Sequence, residues 1–268
     1  MTKHPFAMVP LPAERSVSKP RTRGLTMMKD SGLPRDHMRG LLDLIAPFVD
    51  YAKLVTGTAR LYPEDHLLEK LEIYREFDVH TFIGGQFLEY VFATRGFPGV
   101  RPYCEEARRL GFEAIEVSDN RVPLTDEERT RLISTAVDCG LEVHGEVGSK
   151  DVHSTAATLV RQAETCFEAG SKLVLVEGAE LIDDDALNVP LLEELKSGLD
   201  VERVMFELSG PWIPGTTMAE VYQLRNFLIG AFGPDVNIAN VMPEDVFETE
   251  VLRVGMGSAG PPAGFERR

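Results

Sequence analysis

Three stretches of this chain repeat one local grammar, and that repetition constrains the fold more than any single motif. "RRLGFEAIEVSD" (residues 108–119), "VDCGLEVHGEVG" (137–148) and "FEAGSKLVLVEG" (167–178) each leave a helix at a glycine, cross a short apolar strand and end on a polar residue. Glycine just past a helix end is a common stop, because it adopts the left-handed backbone without a side-chain penalty. Along the whole chain, apolar runs at 24–29, 51–55, 79–83, 114–117, 141–145, 173–176, 203–206 and 236–241 read as strands. They alternate with helical segments at 35–46, 64–77, 100–110, 126–139, 155–169, 187–196, 218–232 and 244–252. Strands alternating with helices build parallel sheets. No glycine-rich dinucleotide fingerprint follows the first strand, so eight such units favour a closed ring over an open doubly wound sheet. The predicted fold is α/β, a (β/α)8 TIM barrel in a single domain, and 268 residues suit it.

The barrel is expected over residues 21–254. Residues 1–20, with four prolines and no period, read as an N-terminal arm; 255–268, rich in glycine and proline, read as a flexible C-terminal tail. A formal charge of −15 opposes binding to nucleic acid or an anionic membrane surface. An anionic substrate would therefore need locally gathered positive charge. The scattered Cys104, Cys139 and Cys166 fit a reducing compartment better than a disulfide framework. No apolar run approaches bilayer length, and the first residues lack the apolar core of a secretory signal, so a cytoplasmic protein is expected.

Barrels of this kind carry their chemistry at the C-terminal ends of the strands. Asp30 follows the first strand, Lys53 lies within the second, and Gly84-Gly85-Gln86 follows the third. The fourth brings Glu116 and Asp119, the fifth Glu146 with Lys150 beyond it, the sixth Glu177, the seventh Glu207, and the eighth Asn237 and Asn240. Four consecutive strands thus end in a carboxylate. Any one of these could simply pair with a neighbouring arginine or lysine, but four in the same place of successive units point to a functional ring. Gathered carboxylates demand cations, and a hard divalent ion with oxygen ligands, Mg²⁺ by default, meets the demand. A lysine beside them can hold an anion or move a proton. Metal, lysine and carboxylates together suit the stabilisation of an enolate next to a carboxylate. Lys53 alone could be a snorkelling strand residue, Lys150 a solvated loop lysine, and Gly84-Gly85 a tight turn or a close approach to a ligand. His144 reads as a core residue, and Asp183, Asp184 and Asp185 as a solvated loop. Trp212 is equally a lid aromatic or loop packing.

Several blocks also resemble the phosphosulfolactate synthases of coenzyme M biosynthesis. They are "PRTRGLTMMKDSGLP" (20–34), "YAKLVTGTA" (51–59), "GGQFLEY" (84–90), "LGFEAIEVSDN" (110–120), "GEVGSK" (145–150), "VLVEG" (174–178), "VMFEL" (204–208) and "VNIANV" (236–241). The resemblance implies a (β/α)8 lyase that adds sulfite to phosphoenolpyruvate with Mg²⁺, a small anionic carboxylic acid as substrate, and a homo-oligomer. It implies Lys150, which handles the proton at C2, and Lys53 as catalytic residues. Glu116, Asp119, Glu146 and Glu177 become the implied metal ligands, and Arg23, Gly84, Gly85, Asn240 and Arg253 the implied substrate contacts. The chain departs from the family where a phosphate would bind. Gly178 is followed by Ala179 and Glu180 rather than an arginine–serine–glycine stretch. Val254 to Gly257 lack a second arginine, and Leu54 to Gly57 replace a Gly-Trp-Gly-like loop. An acidic residue there would repel phosphate, which leaves open a divergent lyase on another carboxylic acid. A non-catalytic stress-tolerance barrel, as ascribed to plant relatives of the family, is the other alternative.

Overall fold

Eight parallel strands close into one ring in the computed structural model, which describes residues 4–13, 15, 17–149, 153–183, 186–213 and 215–257. They are β1 (Thr26–Asp30), β2 (Tyr51–Leu54), β3 (His80–Ile83), β4 (Ala114–Val117), β5 (Glu142–Val147), β6 (Leu173–Val176), β7 (Val204–Glu207) and β8 (Ile238–Val241). Each pairs with its neighbour in chain order, and β8 returns to β1 with Thr26 opposite Ile238. The chain is therefore the (β/α)8 barrel its alternation predicts. A short antiparallel ribbon, Ile182–Asp183 against Ala186–Leu187, decorates the segment after β6. Lys150, Asp184, Asp185 and residues 258–268 of the expected tail lie outside the described residues.

The helices among the described residues are α1 (Arg35–Ile45), α2 (Glu64–Glu76), α3 (Gly85–Arg95), α4 (Phe97–Leu110), α5 (Asp126–Asp138), α6 (Ala156–Glu168), α7 (Val189–Gly198), α8 (Met218–Phe232) and α9 (Val246–Arg253). Two of them, α3 and α4, fill the interval for which the sequence predicts only one helix at 100–110. The stretch Gly96-Phe97-Pro98-Gly99 reads as a loop, yet only Gly96 breaks the helix, at φ +60°. Pro98 sits in the first turn of α4, where its missing N–H is no loss. Thr125 and Thr217 start α5 and α8 with reciprocal capping boxes to Glu128 and Glu220.

Side-chain parity organises the interior. Met27, Tyr51, Phe82, Ala114, Leu173, Leu175, Met205 and Ala239 form a buried cluster. The alternate residues Met28, Ala52, Ile115, Val174 and Phe206 belong to the larger core that includes the helices. His144 joins the first set, its ring 5.0 Å from Tyr51 and 4.7 Å from Phe82. Strand residues two apart share a face. Hence Lys29 follows Met27, Lys53 follows Tyr51, Glu116 follows Ala114, Glu146 follows His144, and Glu207 follows Met205, all toward the C-terminal mouth.

The opposite end is tied shut. Arg15 of the N-terminal arm donates to Glu250 at 2.6 and 2.9 Å and to the Gly24 carbonyl at 2.8 Å. Arg21 holds Asp50 at 2.8 Å. Arg253 is buried and donates to the carbonyls of Pro234 and Val236. The arm's outer part is different: Phe6, Met8, Val9 and Leu11 are exposed. Among the described residues, no helix is long and apolar enough to cross a membrane.

Candidate active site

Glu116, Glu146 and Glu207 converge at the C-terminal mouth, each offering a carboxylate oxygen within 4.8 Å of the others. All three are buried. Lys53 enters the same cluster from β2, its ammonium 2.6 Å from Glu116 Oε2 and 2.8 Å from Glu207 Oε1. Burial alone would push that ammonium down, but Glu116, Glu207 and Glu146 around it hold its pKa well above the ordinary lysine range. Burial lifts Glu116 well above the ordinary carboxylate range; Lys53 opposes the rise, while Glu146 and Glu207 add to it. One ammonium cannot neutralise three carboxylates, so the cluster keeps an excess of negative charge. The donor set is oxygen only, anionic and tightly gathered, which fits a hard divalent cation.

The glycine pair explains how Glu116 is held. The Gly85 N–H, at the first turn of α3, donates to Glu116 Oε1 at 2.8 Å. A Cβ on Gly85 would stand 2.1 Å from Ser118 Oγ and 3.0 Å from Glu116 Oε1, so the close approach requires glycine. A Cβ on Gly84 would come 3.2 Å from Lys53 Cε. Behind this layer the buried Glu89 accepts the N–H groups of Arg121 at 2.6 Å and Val122 at 2.9 Å, and the Ser118 hydroxyl. It thereby fixes the loop after β4. Asn120 of that loop donates to Glu146.

A cavity of about 390 Å³ opens above the cluster, bordered by Lys29, Thr56, Gln86, Arg121, Trp212 and Asn240 among others. The Lys29 ammonium lies 3.4 Å from the Trp212 ring centroid, a cation–π contact that gives the tryptophan a place at the rim. Thr56 and Asn240, both non-glycine, take left-handed backbones at φ +52° and +58°. For a β-branched threonine this is an uncommon conformation, and strain of this kind gathers at functional sites.

Of the residues proposed from sequence, Lys53, Gly84, Gly85, Asn240, Glu116 and Glu146 border this cavity. Asp119 turns aside to Arg129 at 2.5 Å. Glu177 accepts the Ala179 N–H at 3.2 Å at the start of a single 3₁₀ turn, Gly178–Leu181. Arg23 and Arg253 sit at the N-terminal end, Arg23 exposed and 3.5 Å from Asp235. They are kept from the mouth by the length of the barrel. Lys150 lies outside the described residues. The third carboxylate, Glu207, and the rim lysine, Lys29, are absent from the ligand set that the family resemblance implies. Both obey the parity of their strands, which is the signal that finds them.

A family model described as (2R)-phospho-3-sulfolactate synthase (ComA) matches residues 14–258. The phosphosulfolactate synthase of Methanothermobacter thermautotrophicus is 33% identical over 249 residues, covering 89% of this chain and 91% of that protein. Protein HEAT-STRESS-ASSOCIATED 32 of Arabidopsis thaliana is 24% identical over 263 residues, 88% of this chain and 87% of its own. Among solved structures, the YdjI aldolase from Escherichia coli K12 superposes with a TM-score of 0.54 at 15% identity, over 83% of this chain and 76% of that one. That likeness is one of fold alone.

Proposed function

The chain belongs to the (2R)-phospho-3-sulfolactate synthase family, and from that premise we propose that it is a Mg²⁺-dependent cytosolic lyase adding sulfite to phosphoenolpyruvate. The observation that carries this reading is the buried meeting of Glu116, Glu146 and Glu207 around Lys53 at the barrel mouth. Mg²⁺ held by these three carboxylates would supply electrophilic stabilisation of the charge that develops on the substrate carboxylate.

The chain's own residues do the rest. Lys53 keeps Glu116 and Glu207 in place and adds a positive charge facing an anionic substrate. Gly84-Gly85, lacking side chains, leave room for the substrate beside Lys53 and Glu116, and the Asn240 amide contacts the substrate's oxygens. Lys29 and Arg121 at the rim supply positive charge for the phosphate, in place of the distant Arg23 and Arg253. Sulfite attacks the methylene carbon, the new C–S bond forms at C3, and the electron pair of the double bond passes toward C2 and its carboxylate. Lys150 hands a proton to C2, and the phosphate ester stays intact throughout. Asp119, committed to Arg129, and Glu177, committed to the turn after β6, orient their loops rather than bind the ion. We expect a homo-oligomer with no nucleic-acid or membrane partner.

Incubation with Mg²⁺, sulfite and phosphoenolpyruvate, followed by phosphorus NMR, tests the proposal. The expected result is one new phosphate ester, formed only when all three are present, and lost by several orders of magnitude in rate in Lys150→Ala with its folding unchanged. A folded, Mg²⁺-binding preparation that leaves phosphoenolpyruvate untouched would favour a second reading, drawn from the plant relative's name, in which the barrel serves heat-stress tolerance without turnover. In that case Lys150→Ala would leave the biological activity intact.

A further inference from the structure

We propose that Glu180 is a positioning residue that clamps both flanks of the loop carrying Lys150. This rests on the reading above, in which Lys150 delivers the proton to C2. From the sequence, an acid at this point looks hostile to a phosphate. The structure gives it other work, because Glu180 is fully buried and does not border the cavity.

Its carboxylate faces the loop between β5 and α6. Oε1 accepts the Ser149 N–H at 2.8 Å and the Ser154 hydroxyl at 2.7 Å, while Oε2 accepts the Ser154 N–H at 2.7 Å. His153 Nδ1 stands 3.7 Å from Oε2. One buried side chain therefore grips the residue just before Lys150 and a residue four positions after it. Such charge-assisted bonds are stronger than neutral ones, and in a dry setting they fix geometry. Gly148 confirms how tightly the parts meet. It takes φ +98°, and a Cβ there would lie 2.8 Å from Glu180 Cγ and 3.1 Å from Glu177 Cβ. Glu180 itself sits on the 3₁₀ turn Gly178–Leu181 that follows β6, so the loop after β5 is referenced to the neighbouring strand of the barrel. A catalytic group placed even about 1 Å from its productive position can lose about a hundredfold in rate. The clamp guards against that displacement.

Glu180→Gln keeps the shape but turns one acceptor into a donor facing donors. The expected result is a kcat lowered at least tenfold, with KM for phosphoenolpyruvate and the Mg²⁺ midpoint unchanged within twofold. In a Lys150→Ala background the same substitution should cost less than twofold, because the group it positions is gone. Amide exchange at Ser149 and Ser154, whose N–H groups Glu180 accepts, should quicken at least tenfold in Glu180→Gln, a readout that holds whether or not the chain turns over phosphoenolpyruvate. Should Glu180→Gln fail to fold, Ser154→Ala removes one donor and must show the same non-additivity with Lys150→Ala. Rate losses that multiply in the double variant, or exchange that stays at the native rate, overturn the assignment.

Discussion

Lys53→Met removes the charge from the centre of the carboxylate cluster while keeping the length of the side chain. In the native protein the ammonium contacts Glu116 at 2.6 Å and Glu207 at 2.8 Å, and all three groups are buried. Deleting one member of a buried ion pair leaves uncompensated charge and costs about 3–5 kcal/mol. At roughly 2–4 °C per kcal/mol for a chain of this size, the metal-free variant should melt about 6–20 °C below the native protein. Without metal, the cluster is relieved by protonation. Carboxylates whose folded pKa lies above the unfolded value contribute stability at low pH that is lost as pH rises through the folded pKa. The deficit should therefore be smaller at about pH 5 than at about pH 8. Mg²⁺ offers a second relief, and a bound ion stabilises by about 2.7 kcal/mol at a concentration a hundred times its Kd. Thermal melts with and without Mg²⁺ should show a larger Mg²⁺-induced rise in the variant than in the native protein. A variant as stable as the parent, with an unchanged Mg²⁺ response, would refute the picture of three carboxylates competing for one cation.

Gly85→Ala should cost about 1–3 kcal/mol, the range for overpacking, because its Cβ must displace Ser118 and crowd Glu116. Calorimetric titration should also show weaker Mg²⁺ binding, and unaltered affinity would count against Glu116 as a ligand. Mg²⁺ affinity of the native protein should keep rising with pH above the ordinary carboxylate range, by at most about tenfold per pH unit for one proton. The raised pKa of Glu116 means that a proton must leave before the ion enters. Titrations in buffers of different ionisation enthalpy would detect that release, and a flat pH profile would rule it out. Arg253→Met should strand the carbonyls of Pro234 and Val236 at about 1–3 kcal/mol each, lowering Tm. KM for phosphoenolpyruvate should stay the same; a rise in KM without loss of stability would return Arg253 to the substrate site.

The eight strands were legible because each is a short apolar run set off by a glycine or a polar end, and the barrel followed from their number. What the sequence hid was local. A glycine-proline cluster at 96–99 looks like a loop, but proline in a first turn is compatible with a helix, so α4 begins earlier and α3 goes unseen. The site was half legible. Counting carboxylates at strand ends found Glu116, Glu146 and Glu207, but only strict parity separates these and inward Lys29 from outward Asp30. Asp30 instead pairs with Lys70 at 2.6 Å beneath the helices. Asp119 and Glu177 fall in loops, where no two-residue period decides which way a side chain turns. Glu180 shows the same limit from the other side: composition suggests repulsion, while its partners come from a loop some 30 residues away in the chain.

The bond from Arg15 to Glu250 joins residues 235 positions apart. During synthesis β1 has an open side until β8 emerges, and the arm has nothing to fasten to until α9 follows. An unpaired parallel edge is prone to pair with other chains. The nascent ring is thus vulnerable for nearly its whole manufacture, and truncations that stop short of α9 should forfeit the buckle as well as the final helix.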